Sequence, residues 1–258
     1  MTASTERIEK LFFEVFEPLP RQGPGSRLSA KRALDLCVEL PASPAVLDLG
    51  CGAGAQTFHL AALTTCTIIA IDNHEPNIER LGAEVIERGL GERICPQVGD
   101  IGKAEHKPES FDLIWSEGAL YNIGIEEALR LYHSVLKPGG YFAFTEAVWR
   151  KESPAPEVRS AFEDYAGMGS VRDVLAKIEA SDFSLVDHFM LPYTDWWDDF
   201  YTPMEQRIEE LRGKYVGDDE ALAALEEIAR EPDMHRRHSS EYGYEFFVLR
   251  KQAPLAKS

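Results

Sequence analysis

The densest chemistry in this chain lies in one stretch, Asp48-Leu49-Gly50-Cys51-Gly52-Ala53-Gly54. Three glycines at alternate positions leave the backbone bare, so a ligand can approach closely and meet the N–H groups that open a helix. The spacing Gly50-x-Gly52-x-x-Ala55 also satisfies the dinucleotide fingerprint. Asp72 follows further along, where an acidic side chain can accept hydrogen bonds from a ribose. Read alone, the turn admits either NAD(P) or S-adenosylmethionine (SAM). Asp48 separates the two. A carboxylate beside the turn repels a pyrophosphate at short range. SAM has no phosphate and carries an ammonium and a sulfonium, so an acidic neighbour suits it better. A plainer role, in which Asp48 caps the turn, is compatible with ligand binding.

The elements that must position these residues follow from the apolar pattern. Apolar residues in Thr5–Phe16 recur at helical spacing, and a turn-rich segment, Pro18–Ser26, comes next. A second helix is expected from Ser29, as its N-cap, to Leu40. From there strands alternate with helices: strands at Ala45–Leu49, Thr67–Asp72, Ile94–Val98, Phe111–Trp115 and Tyr141–Thr145, with helices at Gln56–Leu63, Pro76–Arg88 and Glu126–Leu136. Lys137-Pro138-Gly139-Gly140 reads as a sharp turn into the fifth strand. Such alternation implies an α/β fold, a doubly wound and mostly parallel sheet with helices on both faces.

The last third breaks the pattern. A helix is expected over Ser170–Ala180, a strand over Phe183–Leu191 and a final strand over Tyr242–Arg250. Between those strands lies a helical insertion, about 192–240, with an aromatic and acidic run, Tyr193–Tyr201, and charged helices at Pro203–Lys214 and Asp218–Arg230. It is read as a lid on one domain spanning 1–258, whose N-terminal helices occupy 4–40. The plainer view of the aromatic run, a cap that packs Trp196 and Phe200 inward, is favoured over a cation-binding platform.

Val46–Gly54 resembles motif I of the class I SAM-dependent methyltransferases. The resemblance continues through Ile71-Asp72-Asn73, Gly99-Asp100-Ile101, Phe111–Ser116 and Leu136–Gly140, in the family's order, and covers about residues 45–149. It implies a seven-stranded, Rossmann-like methyltransferase sheet with an antiparallel last strand, SAM as cofactor and S-adenosylhomocysteine (SAH) as product. It also implies roles. Gly50, Cys51, Gly52 and Gly54 line the methionine portion with Asp48 close by. Asp72, with Asn73 beside it, takes the ribose diol. Asp100 accepts from the adenine amino group, and Ile101 packs on the ring. Ser116 and Glu117 sit near the transferred methyl. Gln22 and Ser26 belong to an N-terminal loop that closes over the cofactor.

Methyl transfer is a direct displacement, and the enzyme chiefly aligns and desolvates the partners. A general base is needed only when the acceptor must lose a proton, and no fixed catalytic residue can be named. Pocket candidates are those beyond the strand ends: Glu117 and Tyr121 after strand four, Glu146 and Trp149 after strand five. Packing is an equally good account of Trp149, and ion pairing of Glu146. The seven histidines have no evident partners and read as structural, with His235 and His238 on the surface.

Composition narrows the setting. The net charge of −17 disfavours nucleic acid and anionic membrane. No apolar run approaches membrane-spanning length, the start of the chain lacks the pattern of a secretion signal, and a cytoplasmic protein is expected. Cys37, Cys51, Cys66 and Cys95 show no metal-ligand spacing, so reduced thiols and no metal are expected. The expected activity is methylation of a small-molecule acceptor. An NAD(P)-dependent oxidoreductase and a non-catalytic SAM-binding module are the alternatives, and a homodimer is left open.

Overall fold

The computed structural model describes residues 4–252 apart from 104, 164 and 166. Its centre is one seven-stranded sheet: β1 Ala45–Leu49, β2 Thr67–Asp72, β3 Ile94–Val98, β4 Phe111–Glu117, β5 Leu136–Trp149, β6 Phe183–Met190 and β7 Tyr242–Lys251. The strand order is β3-β2-β1-β4-β5-β7-β6. Strands β1 to β5 pair in parallel, and β7 runs antiparallel to both of its neighbours. The order reverses between β1 and β4, and the crevice outside their carboxyl ends is where such sheets bind ligands.

Helices α1 Thr5–Phe16, α2 Arg27–Leu36, α3 Ala55–Leu63, α4 Glu75–Glu87, α5 Ile125–His133, α6 Pro156–Ala161 and α7 Val171–Glu179 accompany the sheet. Between β6 and β7 come α8 Thr194–Trp196, a π-turn at Trp197–Tyr201, α9 Thr202–Lys214 and α10 Asp219–His238. Two apolar clusters lie in the fold. One joins α1 and the β6–β7 helices through Trp115, Tyr244 and Phe246; the other holds Phe142, Phe144 and Phe247 with residues of α5 and α7.

Four local expectations are corrected. The cap of α2 is Ser26, whose hydroxyl accepts from the Ser29 N–H at 3.1 Å, and the helix stops at Leu36. Ser26 fulfils the same capping chemistry three residues earlier than expected. Lys137–Gly140 is not a turn before β5 but its opening, where the pairing with β4 slips between Phe111 and Leu113 and Gly139 adopts φ +75°. Helix α10 does not end at Arg230. It runs through Pro232 to His238, because Met234 and His235 are buried beyond the proline and hold the last turns in place. His235 is therefore not a surface residue: its ring stacks on Trp196 at 4.3 Å, and its Nδ1 accepts from the Trp197 indole at 3.1 Å. Trp196 and Phe200 pack inward, as the plainer reading of the aromatic run expects.

Candidate active site

At the carboxyl ends of β1 and β2 the chain folds back on itself. Both Gly50 and Cys51 N–H groups donate to the Ile71 carbonyl, so the glycine turn is pinned to the end of β2. Gly52 N–H donates to Asp72 Oδ2 at 2.8 Å, and His74 N–H donates to Oδ1 at 2.9 Å. A carboxylate offers about four acceptor positions. Each Asp72 oxygen therefore retains capacity for one further donor, the requirement set by two adjacent hydroxyls. Across the turn, Gln22 accepts from the Ala53 N–H and donates to Asn77 Oδ1 and the Phe16 carbonyl. The N-terminal loop is thus laced to the glycine turn through one amide.

These residues open onto a cleft of about 1420 Å³. Gly50, Cys51, Gly52, Asp72, Asn73, Asp100, Ile101, Gln22, Glu117 and Tyr121 all line it. Asp100 is exposed, and its Oδ1 takes the Gly102 N–H at 2.8 Å. Ile101 is largely covered, and its carbonyl accepts from the Tyr132 hydroxyl at 2.8 Å. Tyr121 stacks on Tyr165 with centroids 4.5 Å apart. The far end is aromatic, walled by Phe162, Tyr165, Trp196, Phe200, Tyr201, Tyr242 and Tyr244.

Six expected residues stand away from the cleft, each for a local reason. Asp48 is fully buried behind the turn, accepting from Thr57 Oγ1 at 2.6 Å and more loosely from Gln56. Gln56 also reaches the Gly50 carbonyl, so Asp48 shapes the turn and does not face a ligand. Gly54 faces helix α4: a Cβ there would meet Leu81 Cδ1 at 2.3 Å, and its φ of +92° also selects glycine. Ser116 is buried and donates to the Leu49 carbonyl, tying β4 to β1. Ser26 is spent as a helix cap. Glu146 lies opposite Glu245, whereas the cleft residues Tyr242 and Tyr244 occupy the alternate positions of β7, so strand alternation turns Glu146 to the other face. Burial raises its carboxyl to about 7. Trp149 gives its indole N–H to the Met168 carbonyl and supports Phe162 edge-on from behind the wall.

Arg21 is the residue the sequence did not single out. Its Nη2 pairs with Glu117 Oε2 at 2.5 Å, and the two side chains are 5% and 1% exposed. Glu117 Oε1 also accepts from the Trp115 indole at 2.7 Å. The guanidinium further holds the Gly23 and Pro24 carbonyls, and so fixes the N-terminal loop at the end of β4. Its Nη1 is buried with no hydrogen-bond partner among the described residues. Only the run Pro18–Ser26 hinted at this role; the partner is far away in sequence.

Asp48 makes one pH effect testable. Burial raises its carboxyl to about 7, against the pull of Thr57, and Glu117 adds to the rise. Folding therefore favours the protonated form. The stabilisation is complete below the ordinary aspartate range and is lost as pH rises through about 7. Asp48→Asn is expected to flatten part of the fall in melting temperature between about pH 4 and 7, the span from the ordinary aspartate value to the raised one. Thermal unfolding across that range checks it, and an unchanged slope would contradict the assignment.

A parallel sheet reversed at β1/β4, an antiparallel β7, a glycine turn and carboxylates at the ends of β2 and β3 define the fold of class I SAM-dependent methyltransferases. The chain belongs to the methyltransferase domain family, whose model matches residues 42–207. It is 32% identical over 104 residues to the sterol 24-C-methyltransferase of Clavispora lusitaniae, a match spanning 40% of this chain and 28% of that protein's length. The fold is similar to that of a SAM-dependent methyltransferase from Geobacter sulfurreducens in complex with SAH, with a TM-score of 0.78, 18% identity and coverage of 96% of this chain and 99% of that one. It is also similar to the cyclase SpnF, with a TM-score of 0.71, 21% identity and coverage of 98% and 99%.

Proposed function

We propose that the chain transfers a methyl group from SAM to a small molecule with an apolar body, held beneath the helices between β6 and β7 as a lid. The observation that carries this is the continuity of the cleft, from the acidic, glycine-lined end to the aromatic end. SAM, when bound, supplies an electrophilic methyl on a sulfonium. The residues fit that group. Asp72 keeps acceptor capacity for a diol, Asp100 and Ile101 stand one strand further for an amino-bearing ring, and the orphan Nη1 of Arg21 can meet a carboxylate. A pyrophosphate would meet Glu117, and the Arg21 guanidinium beside it is already paired with that carboxylate. This favours SAM over NAD(P).

The aromatic wall then does two jobs: it excludes water and orients the acceptor against the methyl. Tyr244 stands where this orientation matters, since its Cε1 is 3.5 Å from a Cβ built on Gly118, directly after Glu117. The sterol methyltransferase relative supports an apolar acceptor. The net charge of −17 supports a small molecule over nucleic acid or an anionic membrane. Among the described residues no helix is long and apolar enough to cross a membrane.

The test supplies methyl-labelled SAM with a cell extract split by ultrafiltration. Label is expected in the small-molecule fraction, dependent on the protein. Label confined to nucleic acid or protein, or no transfer at all, would overturn the proposal.

A further inference from the structure

At the aromatic end, half-buried Glu231 of α10 lines the cleft. Its Oε1 accepts from the Tyr201 hydroxyl at 3.0 Å. Among the described residues no Lys, Arg or His lies within ion-pair distance of it. The adjacent Arg230 pairs instead with Glu227. Burial alone raises the Glu231 carboxyl, with only Tyr201 opposing. A half-buried carboxylate in an aromatic wall is costly without a cation unless something supplies one.

A second observation stands beside it. Tyr242 also lines the cleft, is 1% exposed, and its hydroxyl has no hydrogen-bond partner among the described residues. An unpaired buried hydroxyl is destabilising, and a bound polar group would recover that loss. Aromatic rings surround the pair. Trp196 lies 5.8 Å from both Tyr201 and Tyr242, and Phe162 packs edge-on to Tyr242 at 4.8 Å. Aromatic faces attract ammonium groups.

We infer that Tyr201, Glu231 and Tyr242 form a subsite for an alkylammonium group, so that the acceptor is a small apolar molecule carrying a basic amine. The ammonium would donate to the free oxygen of Glu231 and to Tyr242 Oη while resting against the rings. A neutral hydroxyl would satisfy the hydrogen bonds but leave the carboxylate without a counter-charge. This inference rests on the acceptor reading above and narrows it.

The test uses 2-phenylethylamine and its neutral counterpart 2-phenylethanol as probes, titrated by calorimetry into the full chain saturated with SAH. The amine is expected to bind about tenfold or more tighter than the alcohol, the gain of one charge-assisted hydrogen bond. Glu231→Gln should erase that preference while leaving the affinity for SAH in place. Tyr242→Phe should weaken the amine severalfold. Equal affinities in the wild type, a preference that survives Glu231→Gln, or no amine binding would overturn the subsite. Failure of the wild type to bind SAH would instead remove the cofactor reading beneath it.

Discussion

Asp72→Ala is expected to weaken SAH binding by about two to four orders of magnitude. The carboxylate meets two ribose hydroxyls in the proposed complex, and each hydrogen bond to a charged group contributes roughly 1.5–3 kcal/mol. Together they amount to about 3–6 kcal/mol, at about 1.4 kcal/mol per tenfold. The same substitution frees the Gly52 and His74 N–H groups, which now donate to Asp72, so the glycine turn loses an anchor as well. Asp72→Asn separates the contributions. It preserves the shape and one acceptor, and should lose less affinity than alanine. Calorimetry on the three proteins checks the order. Wild-type affinity in the alanine variant would show that the diol does not sit at the end of β2.

The second large effect concerns stability. Arg21→Ala leaves Glu117 buried without its cation, and breaking a buried pair from one side costs about 3–5 kcal/mol. For a chain of this size that corresponds to a fall of roughly 6–20 °C in melting temperature. The Trp115 indole would still donate to Glu117, which keeps the loss within that range. Adding Glu117→Gln to Arg21→Ala should restore part of the loss, because the stranded charge is then gone. A fall of under about 2 °C for Arg21→Ala would show that the pair opens to solvent.

The sheet was readable because its strands are short β-branched or apolar runs closed by glycine, proline or polar residues. Ala45–Leu49, Thr67–Asp72 and Ile94–Val98 occupy the expected residues. The ends of helices were less readable where tertiary burial overrides a local signal. Pro232 marks a stop by propensity, but Met234 and His235 gain enough by packing to carry α10 past it. Ser26 and Ser29 are equivalent caps by type, and only the path of the N-terminal loop decides between them.

The glycine turn was legible as a ligand cradle, yet its first carboxylate was not placed correctly. Asp48 was expected beside the methionine portion. Thr57 and Gln56, in the first turn of α3, draw it behind the backbone instead. Its negative charge was the argument for SAM over NAD(P), and that argument now rests on Glu117, which does line the cleft. Glu146 failed for a different reason. Its face depends on the register of β5 against β7, which pairs it with Glu245, and no local pattern reveals that register. Arg21 was missed because its meaning lies in Glu117, 96 residues away. The aromatic end shows the same limit: Tyr201, Glu231 and Tyr242 come from three elements, and only the fold makes them neighbours.

The central claim is that the cleft beyond β1 and β2 is built for SAM. Calorimetric titration of the full chain with SAM, SAH and NAD tests it most directly. Saturable binding of SAM and SAH, weakened by Asp72→Ala, with no binding of NAD, is the predicted result. Binding of NAD without SAM or SAH would contradict it.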